Sequence, residues 1–253
     1  MPTRYSRKTQ ETHEKYCQKP WDVCVLQRIF CDMRWQKAGS AILQKARNGN
    51  CNLACLLGFD AQPAKKETNQ ARRGGTMKGV IFTELVQFME QNFGIIFVDE
   101  VLTQADLPGG GAFTSVGSYP SSQALKIVTI ASEKSGVPLE ELCQNYGSFL
   151  FDRFGELFPD IMELYDSADA LLSHVGPHIH EEVRILYRDA QPPSVTTEKD
   201  GDTLIVTYES HRPLGHIAYG LIRRSLEVYK DPRSLTWEVS PRADRAVFRL
   251  APA

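Results

Sequence analysis

The spacing of apolar residues changes once along this chain, and that change limits the folds the chain can adopt. Before Pro192-Pro193, apolar side chains recur at helical spacing in a series of segments. After it they alternate in "SVTTEK", "TLIVTYESHR", "SLTWEVS" and "RAVFRLA", with one helical run, "GHIAYGLIRRSLEVY", among them. An Asp200-Gly201 pair between the first two alternating runs predicts a hairpin turn. We therefore expect an α+β fold, in which a helical N-terminal part packs on a small antiparallel sheet with an inserted helix.

Charge and cysteine content divide the chain at Met77. Residues 1–76 carry 14 Lys and Arg against 6 Asp and Glu, whereas residues 77–253 carry 15 against 25. Five of the six cysteines lie in the first part, but they form no CxxC pair, and its basic residues match no nucleic-acid-binding module. Because "MKGVIFTELVQF" looks like the start of a protein, we predict that residues 1–76 are a poorly ordered extension or a mis-assigned start. Residues 77–253 would then form the domain.

Several classes of protein find no support in the sequence. The longest apolar runs fall short of the roughly 18 residues that span a bilayer, and the polar N-terminus has no signal peptide. We therefore expect a cytoplasmic protein without a membrane segment. The glycine-rich "LPGGGAF" lacks the lysine and helix start of a phosphate loop, and no Ser/His/Asp order, GxGxxG motif or paired-carboxylate site stands out. The sequence thus predicts a protein that is not an enzyme.

Three hydrogen-bond donors alternate in "YESHR". In an extended strand the side chains of Tyr208, Ser210 and Arg212 would share one face. A phenol, a hydroxyl and a guanidinium on one face could bind an anion, because a guanidinium donates two parallel hydrogen bonds to a carboxylate. The alternative is an edge strand that turns a polar face to solvent.

Three histidines cluster upstream of this face. His174 and His178 have the i, i+4 spacing that lets two imidazoles share a metal, but Gly176-Pro177 should break that helix. His180 opens the amphipathic segment "HEEVRILY". An imidazole opposite an anion receptor suits haem, whose iron takes an axial histidine and whose propionates need donors. A zinc-binding or haem-free interaction module remains the alternative.

Four segments carry a resemblance to a known family. "MKGVIFTELVQFMEQNFG", "GAFTSVGSYPSSQALKIVTIASEKSG", "IHEEVRILYRDAQPPS" and the Y-x-S-x-R of "YESHR", in this order, resemble the haem-nitric-oxide-binding (H-NOX or HNOB) domain of stand-alone bacterial type. The resemblance covers residues 77–253 and none of residues 1–76. It implies haem b between the helices and the sheet, with His180 as the proximal iron ligand and Tyr208, Ser210 and Arg212 binding the propionates. His178 competes with His180, but the distance from His180 to the Pro-Pro pair fits the family.

The same resemblance places residues around the macrocycle. It implies that Pro193 presses on the porphyrin and that Ile81 packs on it. The distal pocket would comprise Leu85, Leu150, Phe151, Ile217 and Leu221. In oxygen-binding relatives a tyrosine at the position of Ile217 stabilises the partial negative charge on bound dioxygen, whereas nitric oxide needs no such donor. Because the neighbouring His216 and Tyr219 should face elsewhere on the helix, we predict a nitric oxide sensor that excludes oxygen.

The resemblance also implies a signalling mechanism. Nitric oxide would weaken the bond trans to it, so that His180 leaves the iron and its helix moves. Since no catalytic module follows in the sequence, we expect the signal to pass to a separate partner, such as a histidine kinase or a cyclic-di-nucleotide enzyme. The sequence leaves a role in haem storage or transport open.

Overall fold

A computed structural model describes residues 75–252, so the predicted extension lies outside the described residues except for Gly75 and Thr76. The N-terminal elements are β1 (Thr76–Lys78), α1 (Gly79–Phe93), α2 (Ile95–Ala105), β2 (Ser118–Pro120), α3 (Ser121–Ser135) and α4 (Leu139–Leu157). A middle segment contains α5 (Pro159–Met162), α6 (Ala168–His174), a π-helical turn (Val175–His180) and α7 (Glu181–Leu186). The last elements are β3 (Ser194–Asp200), β4 (Thr203–Glu209), α8 (Gly215–Val228), β5 (Ser234–Val239) and β6 (Arg245–Ala251).

The predicted α+β class is confirmed. Strands β3 to β6 form an antiparallel sheet in the order β3-β4-β6-β5, and α8 is inserted between β4 and β5. The predicted turn joins β3 to β4, where Asp200 pairs with Thr203 and Gly201 has a φ of 59°. The left-handed Gly136, with a φ of 73°, ends α3 as its sequence predicts. None of the helices in residues 75–252 is long and apolar enough to cross a membrane.

Two apolar cores meet at α8. The core of the helical part contains buried side chains from α1 to α4, and Ile217 and Leu221 of α8 pack against it. The core of the sheet contains side chains from β4 and β6, and Ile222 and Leu226 of α8 are buried there. Because opposite faces of one helix contact the two cores, α8 fixes the helical part relative to the sheet.

Glycines allow α4 and α8 to cross in backbone contact. A Cβ atom added to Gly147 of α4 would lie 2.2 Å from the carbonyl oxygen of Ile217. One added to Gly220 of α8 would lie 2.0 Å from the carbonyl oxygen of Gln144. Neither position can hold a larger side chain unless the two helices move apart.

The crossing gives a stability prediction. We expect Gly147→Ala to lower the free energy of unfolding by about 2 kcal/mol, because α8 must shift away from α4 and both cores loosen. Gly155→Ala is the matched control, since Gly155 lies in the same helix and an added Cβ would meet nothing within 4 Å. The control should raise that free energy by up to about 1 kcal/mol, through helix propensity alone. Urea denaturation measures the free energy of unfolding of both variants. Equal changes in Gly147→Ala and Gly155→Ala would contradict the backbone contact between α4 and α8.

Candidate functional site

His180 is the last residue of a helical turn that the sequence does not predict. We expected Gly176-Pro177 to separate two helices, and this prediction is wrong, because α6, the π-helical turn and α7 follow one another without a gap. The wider turn accommodates a proline that cannot donate to a regular helical ladder. A Cβ on Gly176 would lie 1.9 Å from the carbonyl oxygen of Val195, so the turn lies directly against β3.

The His180 ring is oriented by the chain that enters β3. Its Nδ1 lies 3.0 Å from the carbonyl oxygen of Pro193. Burial is the main cause that lowers the pKa of His180 to about 4, so the imidazole is neutral near pH 7. In a neutral ring whose Nδ1–H donates to a carbonyl, Nε2 carries the lone pair. This is the arrangement in which histidine binds a metal.

The neighbouring histidines lie in a different environment. His178 is exposed, and its ring contacts that of His174 edge-on at 4.7 Å between centroids. The His174 ring also contacts Tyr165, at 5.4 Å. Within residues 75–252 no group of three His, Cys, Asp or Glu side chains is placed to bind a metal ion. A zinc site made by protein ligands alone therefore has no ligand set in the described part of the chain.

The three predicted donors do not form one face of a strand. Strand β4 ends at Glu209, so Ser210 and Arg212 lie in the bend before α8, and the prediction that all three alternate along a strand is wrong. The bend is stabilised locally, because the backbone N–H of Arg212 donates to Ser210 Oγ at 3.2 Å and Pro213 follows. Ser210 N–H donates to the carbonyl oxygen of Asp244 in the β5–β6 loop.

Tyr208 and Arg212 are nevertheless buried together. Their side chains are 4% and 5% exposed, and the hydroxyl of Tyr208 and Nε of Arg212 are buried without a hydrogen-bond partner among the described residues. Arg212 Nη2 donates to the carbonyl oxygen of Thr76 at 2.9 Å. Burial lowers the pKa of Arg212 and raises that of Tyr208, since both charged forms are desolvated. The nearby Ser210 hydroxyl and the Arg212 charge oppose part of the rise in the pKa of Tyr208.

Two buried donors without partners indicate a missing acceptor. Each such group costs about 1–3 kcal/mol unless an acceptor satisfies it. Among the described residues no salt bridge to Arg212 is formed, so its buried charge also lacks a counter-ion. An acidic ligand would supply both acceptor and charge. The residues therefore fit a group with carboxylates at its rim.

The start of β3 connects this pair to His180. Pro193 accepts from the His180 ring, and two residues later Val195 pairs with Tyr208 across the β3–β4 ladder. The residue that orients His180 thus lies immediately before β3, and β3 itself pairs with the strand that carries Tyr208.

The predicted distal residues come together with one exception. Leu85 and Leu150 are buried in the core of the helical part, and Ile81, Ile217 and Leu221 pack against that core. Phe151 lies apart from this group. It lines a surface cavity formed with residues of α5 and the end of α8, among them Pro159, Met162, Val228 and Tyr229.

Sequence reasoning missed Tyr146, a buried tyrosine beside the predicted pocket. Its hydroxyl donates to the carbonyl oxygen of Ile81 at 2.5 Å, and its ring contacts that of Phe88. Burial raises the pKa of Tyr146 well above its ordinary value. Its position one turn before Leu150 is the signal that could have identified it. The predicted pocket therefore has a donor next to it, but that donor is already engaged by the backbone of α1.

The two polar neighbours of Ile217 face the sheet and α4. The Tyr219 ring lies 4.8 Å from that of Trp237. His216 contacts the Trp237 ring edge-on at 5.0 Å, and its Nδ1 lies 3.3 Å from Nε2 of Gln144. Neither side chain is placed with the apolar group around Leu85.

The chain is similar to proteins of one known family. The Haem-NO-binding family model matches residues 78–236. A mutant H-NOX protein from K. algicida, solved in the Fe(II) unliganded state, is 29% identical with a TM-score of 0.66, over 70% of this chain and 97% of that chain. The H-NOX from Shewanella woodyi, solved with IWP-051 in the Fe(II)CO state, is 32% identical with a TM-score of 0.59, over 70% and 95%.

A third structure shares the fold at lower identity. The H-NOX protein from S. oneidensis in the Fe(II)NO state is 23% identical with a TM-score of 0.61, over 69% of this chain and 98% of that chain. The comparison with curated proteins gave no significant match.

Proposed function

Because this chain belongs to the haem-NO-binding family, we propose that it is a haem-based sensor of nitric oxide. Members of this family are sensors rather than enzymes, and solved relatives carry iron in unliganded, CO-bound and NO-bound states. The observation that supports the proposal best is the pair of buried donors without hydrogen-bond partners, Tyr208 Oη and Arg212 Nε, together with an imidazole that is oriented by Pro193.

We assign the cofactor contacts as follows. His180 Nε2 would bind the iron, while Tyr208, Ser210 and Arg212 would hold the propionates of haem b and Pro193 and Ile81 would pack on the macrocycle. Bound haem would supply a ferrous iron that takes up a diatomic gas. The chain itself orients the imidazole through Pro193, keeps it neutral through burial, and neutralises the propionates with Arg212.

The choice of gas follows from the side chains next to the predicted distal pocket. Leu85, Leu150, Ile217 and Leu221 have no hydrogen-bond donor to offer bound dioxygen. The nearby hydroxyl of Tyr146 is engaged by the carbonyl oxygen of Ile81. Without a free donor, oxygen gains little stabilisation over nitric oxide.

The proposed output is a movement of the His180 turn. His180 would hold the iron, and bound haem would supply the gas-binding centre. Release of the imidazole on binding of nitric oxide would let the turn and α7 relax, so the gas would shift the population between two conformations. A separate signalling protein, such as a histidine kinase or a cyclic-di-nucleotide enzyme, would respond. The excess of acidic residues in residues 77–253, 25 against 15 basic, suits a partner with a basic surface.

Absorption spectra of the purified chain, expressed with ample haem, test this function. We expect a Soret band, a shift of that band when nitric oxide is added to the reduced protein, and no stable oxygenated spectrum in air. A colourless protein would favour the haem-free interaction module instead. A stable oxygenated spectrum would contradict the assignment to nitric oxide.

A further inference from the structure

A cluster of polar contacts ties β1 to the segment that follows α7. Lys78 Nζ donates to Ser118 Oγ at 2.8 Å and to both carboxylate oxygens of Asp189, at 3.0 and 3.2 Å. Ser118 Oγ donates to the same carboxylate at 2.7 Å. The ammonium also lies 4.3 Å from the centre of the Tyr187 ring. The Lys78 side chain is 16% exposed but that of Asp189 is 56% exposed, so water and salt partly screen the ion pair.

The partners of Lys78 lie on a short segment with a defined end. Residues 187–193 connect α7 to β3, and Tyr187 and Asp189 lie at its start. The segment ends at Pro193, whose carbonyl oxygen accepts from the ring of His180. Any shift of this segment therefore moves the group that orients the imidazole.

Strand β1 also reaches the buried arginine. The carbonyl oxygen of Thr76 accepts from Arg212, two residues before Lys78. Strand β1 pairs with β2 in a short antiparallel ladder, in which Lys78 lies opposite Ser118. This β1–β2 pair is joined to the helical part, because Gly79 N–H donates to the carbonyl oxygen of Gly117 and α1 follows directly. One short strand thus contacts both the segment that follows α7 and Arg212 in the bend after β4.

We propose that Lys78, Ser118 and Asp189 form a latch that holds residues 187–193 against the β1–β2 pair and so positions His180 for the iron. This role rests on the proposed haem function. The latch residues would set how readily the His180 imidazole dissociates from the iron. With the latch closed, the Pro193 carbonyl oxygen stays hydrogen-bonded to Nδ1 of His180, and detachment of the imidazole from the iron is opposed. With the latch open, the segment and α7 move more freely, and detachment is favoured.

The latch is tested by Lys78→Met, which keeps the aliphatic chain over Tyr187 and removes the charge. Lys134→Met is the matched control, because Lys134 makes a comparable single ion pair with Glu100, at 2.9 Å, between α3 and α2. Hydrogen exchange of the backbone amides of residues 187–191 should be roughly tenfold faster in Lys78→Met than in the control. Asp189→Asn should give the same increase, and the double variant should add little, since both changes open one contact.

The ferrous nitric oxide complex provides the second measurement. In its electron paramagnetic resonance spectrum, nitrogen coupling from a trans imidazole marks the molecules in which His180 remains bound. We expect the fraction without that coupling to rise in Lys78→Met and to stay at the wild-type value in Lys134→Met.

The outcomes separate the latch from the haem function. If the wild-type chain binds no haem, the proposed function fails, whereas the exchange data still show whether the latch holds residues 187–193. If the wild type responds to nitric oxide but Lys78→Met behaves like Lys134→Met in both measurements, the latch is overturned. Faster exchange with an unchanged ligation fraction would also overturn it as a device that positions His180.

Discussion

His180→Ala is expected to purify almost colourless, with haem occupancy at least about tenfold below the wild type, because the variant lacks the imidazole proposed to bind the iron. The fold should persist, since His180 is only half-buried and lies outside both apolar cores. Added imidazole should enter the space left by the side chain and restore a Soret band. Occupancy is measured by the absorbance ratio of the Soret band to the protein band, before and after imidazole.

His178→Ala is the matched control for this experiment. The two histidines lie two residues apart on the same turn, but His178 is exposed and contacts His174. Its removal should leave haem occupancy unchanged. If His178→Ala lost its haem while His180→Ala kept full occupancy, the iron ligand would be His178 and not His180.

Local patterns in the sequence predict most of the regular structure. The run from Gly79 to Phe93 has helical spacing and ends before Gly94, and the alternation after Pro193 identifies the four strands of the sheet. Such patterns are reliable here because each element buries one side of its own sequence. The pairing of β1 with β2 was not predicted, since each has only three residues and its partner lies about forty positions away.

The candidate site is harder to predict because its contacts link distant parts of the chain. Lys78 and Asp189 are 111 residues apart, and no periodicity signals their contact. The end of β4 was misplaced for a different reason. The alternation of Tyr208, Ser210 and Arg212 continues into a bend, where a hydrogen bond from the backbone N–H of Arg212 to Ser210 Oγ, and not the strand ladder, sets the backbone. The chemistry of the three residues was therefore easier to predict than their geometry.

Ile217→Tyr is expected to turn the protein into an oxygen binder. Ile217 packs from α8 against the core that contains Leu85 and Leu150, so a phenol at this position would bring a free donor to the apolar group. A hydrogen bond to the partly negative dioxygen is worth about 1.5–3 kcal/mol, which slows its dissociation roughly 10- to 100-fold. The reduced variant should form a stable oxygenated spectrum in air, and stopped-flow mixing gives the dissociation rate.

Ile217→Phe separates the donor from the bulk of the ring. Phenylalanine fills the same space without a hydroxyl, so it should leave the reduced protein without a stable oxygenated spectrum. A second control tests whether Tyr146, the tyrosine beside the predicted pocket, contributes to oxygen binding. Tyr146→Phe should not change oxygen binding in the Ile217→Tyr background, because the Tyr146 hydroxyl donates to the carbonyl oxygen of Ile81 and not into the pocket. Oxygen binding by Ile217→Phe, or its loss on Tyr146→Phe, would show that gas selection here does not depend on a donor at position 217.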